Sequence, residues 1–212
     1  MKRLVLFVLV MGIAVSLFAQ TSLQGSRTAT GNWSLSNSRL YQNDANARLA
    51  KIYLPVPQNG PMIYDFNVRY EGGIEDGHGG LGIHVFVDNA YERASWGAGR
   101  SLLLWLNYDE SPGAGVPRGL SAQVYRSINN SQMEQIQSVS LNEYLPLLTF
   151  EALRQPIPFR ITVNGSTGEV RVYDPTRADN FYSFTIQRDL PLRGNWIALR
   201  TNGIRVSFAE GL

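Results

Sequence analysis

The sequence predicts an all-β chain folded as a two-sheet antiparallel jelly-roll sandwich with one short helix. Three observations carry this. From Gly31 to Phe208, short runs alternate apolar and polar residues. Gly, Asn, Asp and Pro punctuate those runs. Only one stretch, 142–156, has a composition and length that suit a helix. Period-two patterning between turn residues is the mark of half-buried strands.

The chain begins with what reads as a secretory leader. Lys2 and Arg3 precede an apolar run from Leu4 to Phe18, and Ala19-Gln20 follows as a cleavage point. That run is shorter than the ~20 apolar residues a membrane-spanning helix needs, and its charged start is that of a signal peptide. The expected organisation is therefore a signal peptide over 1–19, a flexible lead-in over 20–30, and one domain over 31–212. The expected location is periplasmic or extracellular, with no membrane span.

The charge balance changes once the leader is set aside. The chain holds 19 Lys and Arg and 17 Asp and Glu. Two of the cations are Lys2 and Arg3, so the remainder is neutral. Nucleic-acid binders carry a basic face, and no nucleic-acid partner is expected. Beyond the leader the only lysine is Lys51; every other cation is arginine. Cysteine is absent, which removes disulfides and zinc–thiolate sites.

The elements follow in order. "MIYDFNVRY" alternates over 63–70. "LGIHVFVD" sets Leu81, Ile83, Val85 and Val87 on one face. "SLLLWLNY" sets Leu102, Leu104, Leu106 and Tyr108 against Leu103, Trp105 and Asn107. Ala122 and Val124, then Phe159, Ile161 and Val163, then Val170 and Val172, then Tyr182, Phe184 and Ile186 continue the series. "WIALR" and "IRVSF" close it. Asn164-Gly165 with Thr167-Gly168 predicts a hairpin loop, Asn202-Gly203 a tight hairpin, and Asn37-Ser38 a weaker one. Asn142 caps the predicted helix, and Pro156 and Pro158 end it. Residues 107–119 read as a long polar loop. Gly-Asn-Trp occurs at both 31–33 and 194–196. Each triad reads as a turn opening into a strand, with the two chain ends side by side so that neither leaves a bare edge.

Several chemistries lack their residues. Glycosidases need two placed carboxylates, but Asp109-Glu110 are adjacent, Glu75-Asp76 lie in a Gly-rich loop, and Asp65 and Asp88 stand alone. No Gly-x-Ser-x-Gly turn accompanies the two histidines, so no nucleophilic triad is expected. Gly-rich "GAGRS" and "GGLG" lack the Lys-Ser/Thr ending of a phosphate loop. Asp76, His78, His84 and Asp88 flank one strand. His84 and Asp88, four residues apart on it, are ~13 Å distant and cannot share an ion.

The order of the pieces resembles the concanavalin A-like lectin/glucanase superfamily, in its laminin-G-like and bacterial exported branches. The resemblance runs over residues 30–208. It rests on "GNWSLSNSRLYQ", on "GGLGIHVFVD" with "WGAGRSLLLWLNYD", on "PFRITVNGSTGEVRVYD", and on "GNWIALRTNGIRVSF". It implies a curved jelly roll whose concave side holds the ligand. Its glucanases carry Glu-x-Asp-x-(x)-Glu on one strand, which this chain lacks. Some relatives bind calcium through loop Asp and Asn, and Asp88 with Asn89 would be the pair here; no other cofactor is expected.

Sugars present apolar C–H faces and hydroxyl rims, so aromatics beside Asn, Asp, Arg or His suit them. With the aliphatic faces turned inward, the opposite faces carry His84, Phe86 and Asp88, then Leu103, Trp105 and Asn107, then Arg171 and Tyr173, then Arg200. Trp96 would overhang from a loop. The expected ligand-binding set is Trp105, Asn107, His84, Asp88, Trp96, Arg171, Tyr173 and Arg200. The expected function is non-catalytic recognition of a glycan or an envelope protein. Two alternatives stand beside it: a structural subunit of a periplasmic or surface assembly, such as a filament coat, and a glycan-active hydrolase with an atypical carboxylate pair.

Overall fold

A computed structural model of the chain describes residues 13–16, 23–73, 77–141 and 151–210. Fifteen strands account for nearly all of its regular structure. In chain order they are β1 (Ile13–Ser16), β2 (Arg27–Thr30), β3 (Trp33–Ser36), β4 (Arg39–Gln42) and β5 (Ala50–Asn59). Next come β6 (Pro61–Gly73), β7 (His78–Val87), β8 (Ser101–Asp109), β9 (Gly119–Ser127) and β10 (Met133–Ser140). The series closes with β11 (Ile157–Asn164), β12 (Glu169–Asp174), β13 (Arg177–Thr185), β14 (Arg193–Asn202) and β15 (Ile204–Glu210).

They form two sheets. One has seven strands in the order β10-β9-β8-β7-β14-β5-β2. The other runs β13-β12-β11-β6-β15-β4-β3, with β1 lying parallel to Met62–Asp65 of β6. Every other pairing is antiparallel. This is the two-sheet sandwich expected. β1 falls within the expected leader, whose remaining residues lie outside the described ones. Arg27–Thr30, expected in a flexible lead-in, instead make the edge strand β2, paired with β5.

The inner faces seal one core, as the alternation predicts. Leu81, Ile83 and Val85 of β7, Leu102, Leu104 and Leu106 of β8, and Ile197 and Leu199 of β14 meet Tyr64, Phe66 and Val68 of β6 and Val206 and Phe208 of β15. At Phe86 the alternation breaks. Its φ is +55°, and between Val87 and His84 the strand carries one residue more than β14 opposite it. Phe86 therefore turns inward, edge-on to Tyr64, while Val87 joins a small second cluster on the outer side. The sequence expectation had these two the other way round. A bulge of this kind reverses which side chains face in.

The turns divide into confirmed and corrected. Asn37 and Ser38 both have positive φ, 49° and 59°, and make a two-residue hairpin between Ser36 and Arg39. Asn164 Oδ1 accepts from the backbone N–H groups of Ser166 and Thr167, closing the β11–β12 hairpin. Asn202-Gly203 is not a hairpin. It carries the chain from β14 in one sheet to β15 in the other, with Gly203 at φ 68°. The chain ends do meet: β4 pairs with β15, and β5 with β14. Most of the predicted helix lies outside the described residues. Its described end, Glu151–Arg154, is one 3-10 turn with Leu153 sealed in the core. The strands also reach into the predicted 107–119 loop from both sides, β8 to Asp109 and β9 from Gly119.

Candidate functional site on the strapped face

The outer face of the seven-stranded sheet is not bare. The β7–β8 connection, residues 88–100, lies across it as a strap. Its ends are tied together: Asp88 N–H donates to Arg100 O, and Arg100 N–H donates to Asp88 Oδ1 at 3.0 Å. Its middle is tied to the sheet from beneath. Lys51 Nζ donates to Ser95 O, Ser95 Oγ and Gly97 O at 3.0, 2.9 and 2.6 Å. Arg200 Nη1 donates to Trp96 O at 2.6 Å. Ser127 Oγ accepts from Ala98 N–H and donates to Gly99 O. Three successive strap carbonyls thus end on two buried cations.

Strand register explains why these side chains meet. Gln123, Trp105, Gly82, Arg200 and Lys51 lie opposite one another across β9, β8, β7, β14 and β5. The next row holds Tyr125, Leu103, His84, Ala198 and Tyr53. Gly80 and Gly82 form a floor for the Trp105 indole. A Cβ on Gly80 would stand 2.2 Å from the ring, and one on Gly82 would stand 2.3 Å from Leu104 O. With the floor flat, the Arg200 guanidinium fits between two indoles, 4.8 Å from the Trp96 centroid and 5.3 Å from that of Trp105. Cation–π attraction strengthens when desolvated, as here. Trp96 itself is 48 % exposed.

Burial dominates the electrostatics. Lys51 is fully buried. Burial, followed by repulsion from Arg200, brings its ammonium down to about 7. Burial also lowers Arg200 to about 10. His84 is fully enclosed, and burial, then Lys51 and Arg200, hold it well below the usual imidazole value, so it is neutral. Its Nδ1 shares a hydrogen bond with Ser101 Oγ at 3.0 Å, and Nε2 has no partner among the described residues. Neither Lys51 nor Arg200 forms an ion pair with a carboxylate among the described residues.

The expected ligand-binding residues divide three ways. Trp105, Asn107, Trp96 and Arg200 come together on the strapped face, where Trp105 Nε1–H donates to Asn107 Oδ1 at 3.1 Å. His84 is on the same face but sealed beneath the strap, and Asp88 closes the strap's ends. Arg171 and Tyr173 are elsewhere. They sit on β12 in the other sheet, where Arg171 bonds Glu169 and lies over Phe181. Sequence alternation tells which face of its own sheet a residue occupies; it does not tell which sheet.

Asp88, of the expected calcium pair Asp88 and Asn89, has both carboxylate oxygens in contact with Arg100. Asp76 lies outside the described residues, and among those described no cluster of metal-ligating side chains is gathered.

Sequence reasoning missed Lys51, Gly80, Gly82 and the Tyr125–Gln123 pair, in which Tyr125 O–H donates to Gln123 Oε1 at 2.6 Å. A signal for Lys51 was present: a single lysine beyond the leader, set between Ala50 and Ile52 in an apolar strand.

No protein-family model matches the chain, and no curated protein matches it. Solved structures do resemble it. A protein of unknown function with a galectin-like fold from Bacillus subtilis superposes with a TM-score of 0.55 at 12 % identity, over 92 % of this chain and 91 % of that one. The CBM2 module of the evolved Dit of Lactobacillus casei BL23 phage J-1 gives 0.53 at 13 %, over 91 % and 92 %. A legume lectin-like domain from Entamoeba histolytica gives 0.51 at 10 %, over 87 % and 85 %. At these identities the likeness shows the fold alone, a two-sheet sandwich shared with galectin-like and legume lectin-like domains.

Proposed function

We propose that the strapped face is the glycan-recognition surface of an exported, non-catalytic binding module. One observation carries the reading. Trp96 stands 48 % exposed on a strap that buried cations hold in place, with Arg200 and Trp105 stacked beneath it. A large aromatic fixed in the solvent offers a sugar ring an apolar platform at little ordering cost. Asn107 and Tyr125 stand on the same face as hydrogen-bonding groups, the Tyr125 hydroxyl oxygen lying 3.1 Å from the Gln135 side-chain amide. The galectin-like and legume lectin-like neighbours support the reading through their fold.

A glycan array with the leaderless chain tests it. Binding to at least one glycan is expected, and Trp96→Ala is expected to abolish it while the circular dichroism and melting temperature stay near wild type. Binding to no glycan, or binding that Trp96→Ala leaves intact, overturns the proposal. Export is tested by the amino-terminal sequence of the protein recovered from its native host, which is expected to begin at Gln20. Among the described residues no helix is long and apolar enough to cross a membrane.

An assembly role has one observation in its favour. The edge strand β13 exposes Phe181 and Tyr182 at 42 % and 44 %, and exposed apolar edges invite pairing. Light scattering distinguishes the two readings: a large stable particle favours assembly, a monomer favours the binding module.

A further inference from the structure

A cleft lies at one end of the sandwich, where the two ends of the strap, Asp88 and Arg100, meet. It encloses about 180 Å³, between the end of β7, the start of β8, the end of β9 and the β13–β14 connection. At ~30 Å³ for each water in the liquid, that is room for a small charged group and the atoms bonded to it. Its floor is apolar, made by Phe86, Leu102, Ile186 and Leu192. Its walls carry four guanidiniums, Arg100, Arg126, Arg188 and Arg193, against two carboxylates, Asp88 and Asp189.

The pairing in the cleft leaves cations over. Asp88 is taken by Arg100, and Asp189 by Arg126 at 2.8 Å. Arg126 also binds Glu134 at 2.6 Å, yet its Nε is buried without a partner among the described residues. Arg188 reaches Glu134 only at 3.9 Å and keeps 72 % of its side chain exposed. Arg193 pairs with no carboxylate among the described residues. Arginine presents planar, forked donors that match carboxylate, sulfate and phosphate groups, and an apolar floor beside such donors suits a sugar ring more than a bare inorganic ion.

The backbone is strained at the same place. Phe86 and Asp189, both lining the cleft, have φ of 55° and 60°. An aromatic residue such as Phe86 rarely adopts such a value, whereas Asp tolerates it, and strain like that at Phe86 collects where a site is shaped. At Phe86 it turns the ring into the floor. At Asp189 it accompanies the carboxylate that holds Arg126.

We propose that this cleft is an anion site that takes the charged group of an acidic saccharide on Arg188 and Arg193, with the sugar ring against Leu192. The site is separate from the Trp96 surface and stands or falls on its own test. Calorimetric titration of the leaderless protein at low ionic strength uses sodium glucuronate, glucose, inorganic sulfate and inorganic phosphate in parallel. Glucuronate is expected to bind and glucose not. The double variant Arg188→Ala/Arg193→Ala is expected to weaken glucuronate at least tenfold. Arg160→Ala/Arg171→Ala, an equal charge loss on the other sheet, and Trp96→Ala are each expected to change it less than twofold. Sulfate or phosphate binding as tightly as glucuronate, and lost in the same variant, would keep the anion site and assign it to a free anion. No binding of any anion, or equal loss in both double variants, overturns it.

Discussion

The two outer faces of this sandwich handle positive charge in opposite ways. On the eight-stranded sheet, arginines pair with acidic and polar partners, some across strands and some two residues along the same strand. Arg160 pairs with Asp65, Arg69 with Glu71, Arg171 with Glu169, and Arg39 reaches Asn67 and Ser207. Several of these side chains remain partly in water, where ion pairs contribute little. On the seven-stranded sheet, Lys51 and Arg200 are buried with no carboxylate partner among the described residues; Lys51 Nζ and Arg200 Nη1 end on strap oxygens, while Arg200 Nε has no partner among those residues. Charge is spread and solvated on one face, and concentrated to hold a loop on the other. The second arrangement is costly without full hydrogen bonding, so the strap and its two anchors stand together. A lysine suits position 51 because three oxygens converge on one nitrogen, which a planar guanidinium could not meet as well.

The largest expected effect comes from breaking the buried face. Arg200→Met removes the donor to Trp96 O and the cation between the indoles. It is expected to lower stability by ~2–3 kcal/mol in urea denaturation, through an orphaned carbonyl and lost stacking. Trp96 should become more mobile, with a red-shifted fluorescence maximum. An unchanged midpoint would show that the guanidinium does not hold the strap.

Gly82→Ala is expected to follow at ~1–3 kcal/mol, the usual range for overpacking. Its Cβ would meet Leu104 O at 2.3 Å and the Trp105 ring at 2.9 Å. Because the strain falls on Trp105, glycan affinity should drop together with stability.

The pH dependence gives an effect of defined sign. Lys51 has an ordinary value of 10.5 and is brought down to about 7 by burial in the folded chain. Between those values the unfolded chain holds a proton that the folded chain lacks, so stability from this residue rises as pH increases from 7 towards 10.5. Below 7 both states are charged and the burial cost is fully present. The rise cannot exceed ~1.4 kcal/mol per pH unit. Urea midpoints at about pH 6.5 and about pH 9 should separate wild type from Lys51→Met, whose slope lacks this contribution. A matching slope in the variant would place the titration elsewhere.

The smallest effect is expected on the opposite face. Arg160→Ala, which breaks the pair with Asp65, should cost less than ~1 kcal/mol, since Arg160 is more than half exposed. A loss as large as that of Arg200→Met would erase the contrast between the faces.

The alternating runs and the Asn-Gly and Asn-Ser turns, with a single stretch suited to a helix, were enough to read a two-sheet sandwich and most inward-facing residues. These are local properties, since a strand's period and a turn's φ depend on near neighbours. The bulge at Phe86 lay beyond that reading, because only the extra residue opposite β14 reverses the pattern. So did the course of Asn202-Gly203, whose dipeptide suits a hairpin and a sheet crossing alike. At the candidate site, Trp105, Asn107, Trp96 and Arg200 were legible as outward aromatic and polar residues. Arg171 and Tyr173 carried the same signal and proved to be on the other sheet.

By itself the sequence determined that this chain is a β-sandwich with aliphatic layers inside and aromatic, polar residues outside. Short-range periodicity and turn chemistry suffice for that. The tertiary structure alone decided which outward residues share a face, that Lys51 and Arg200 lie buried under the 88–100 strap, and that Trp96 stands above them. Those facts depend on strand order and register across some 150 residues of chain, from Lys51 to Arg200, and no local pattern encodes them.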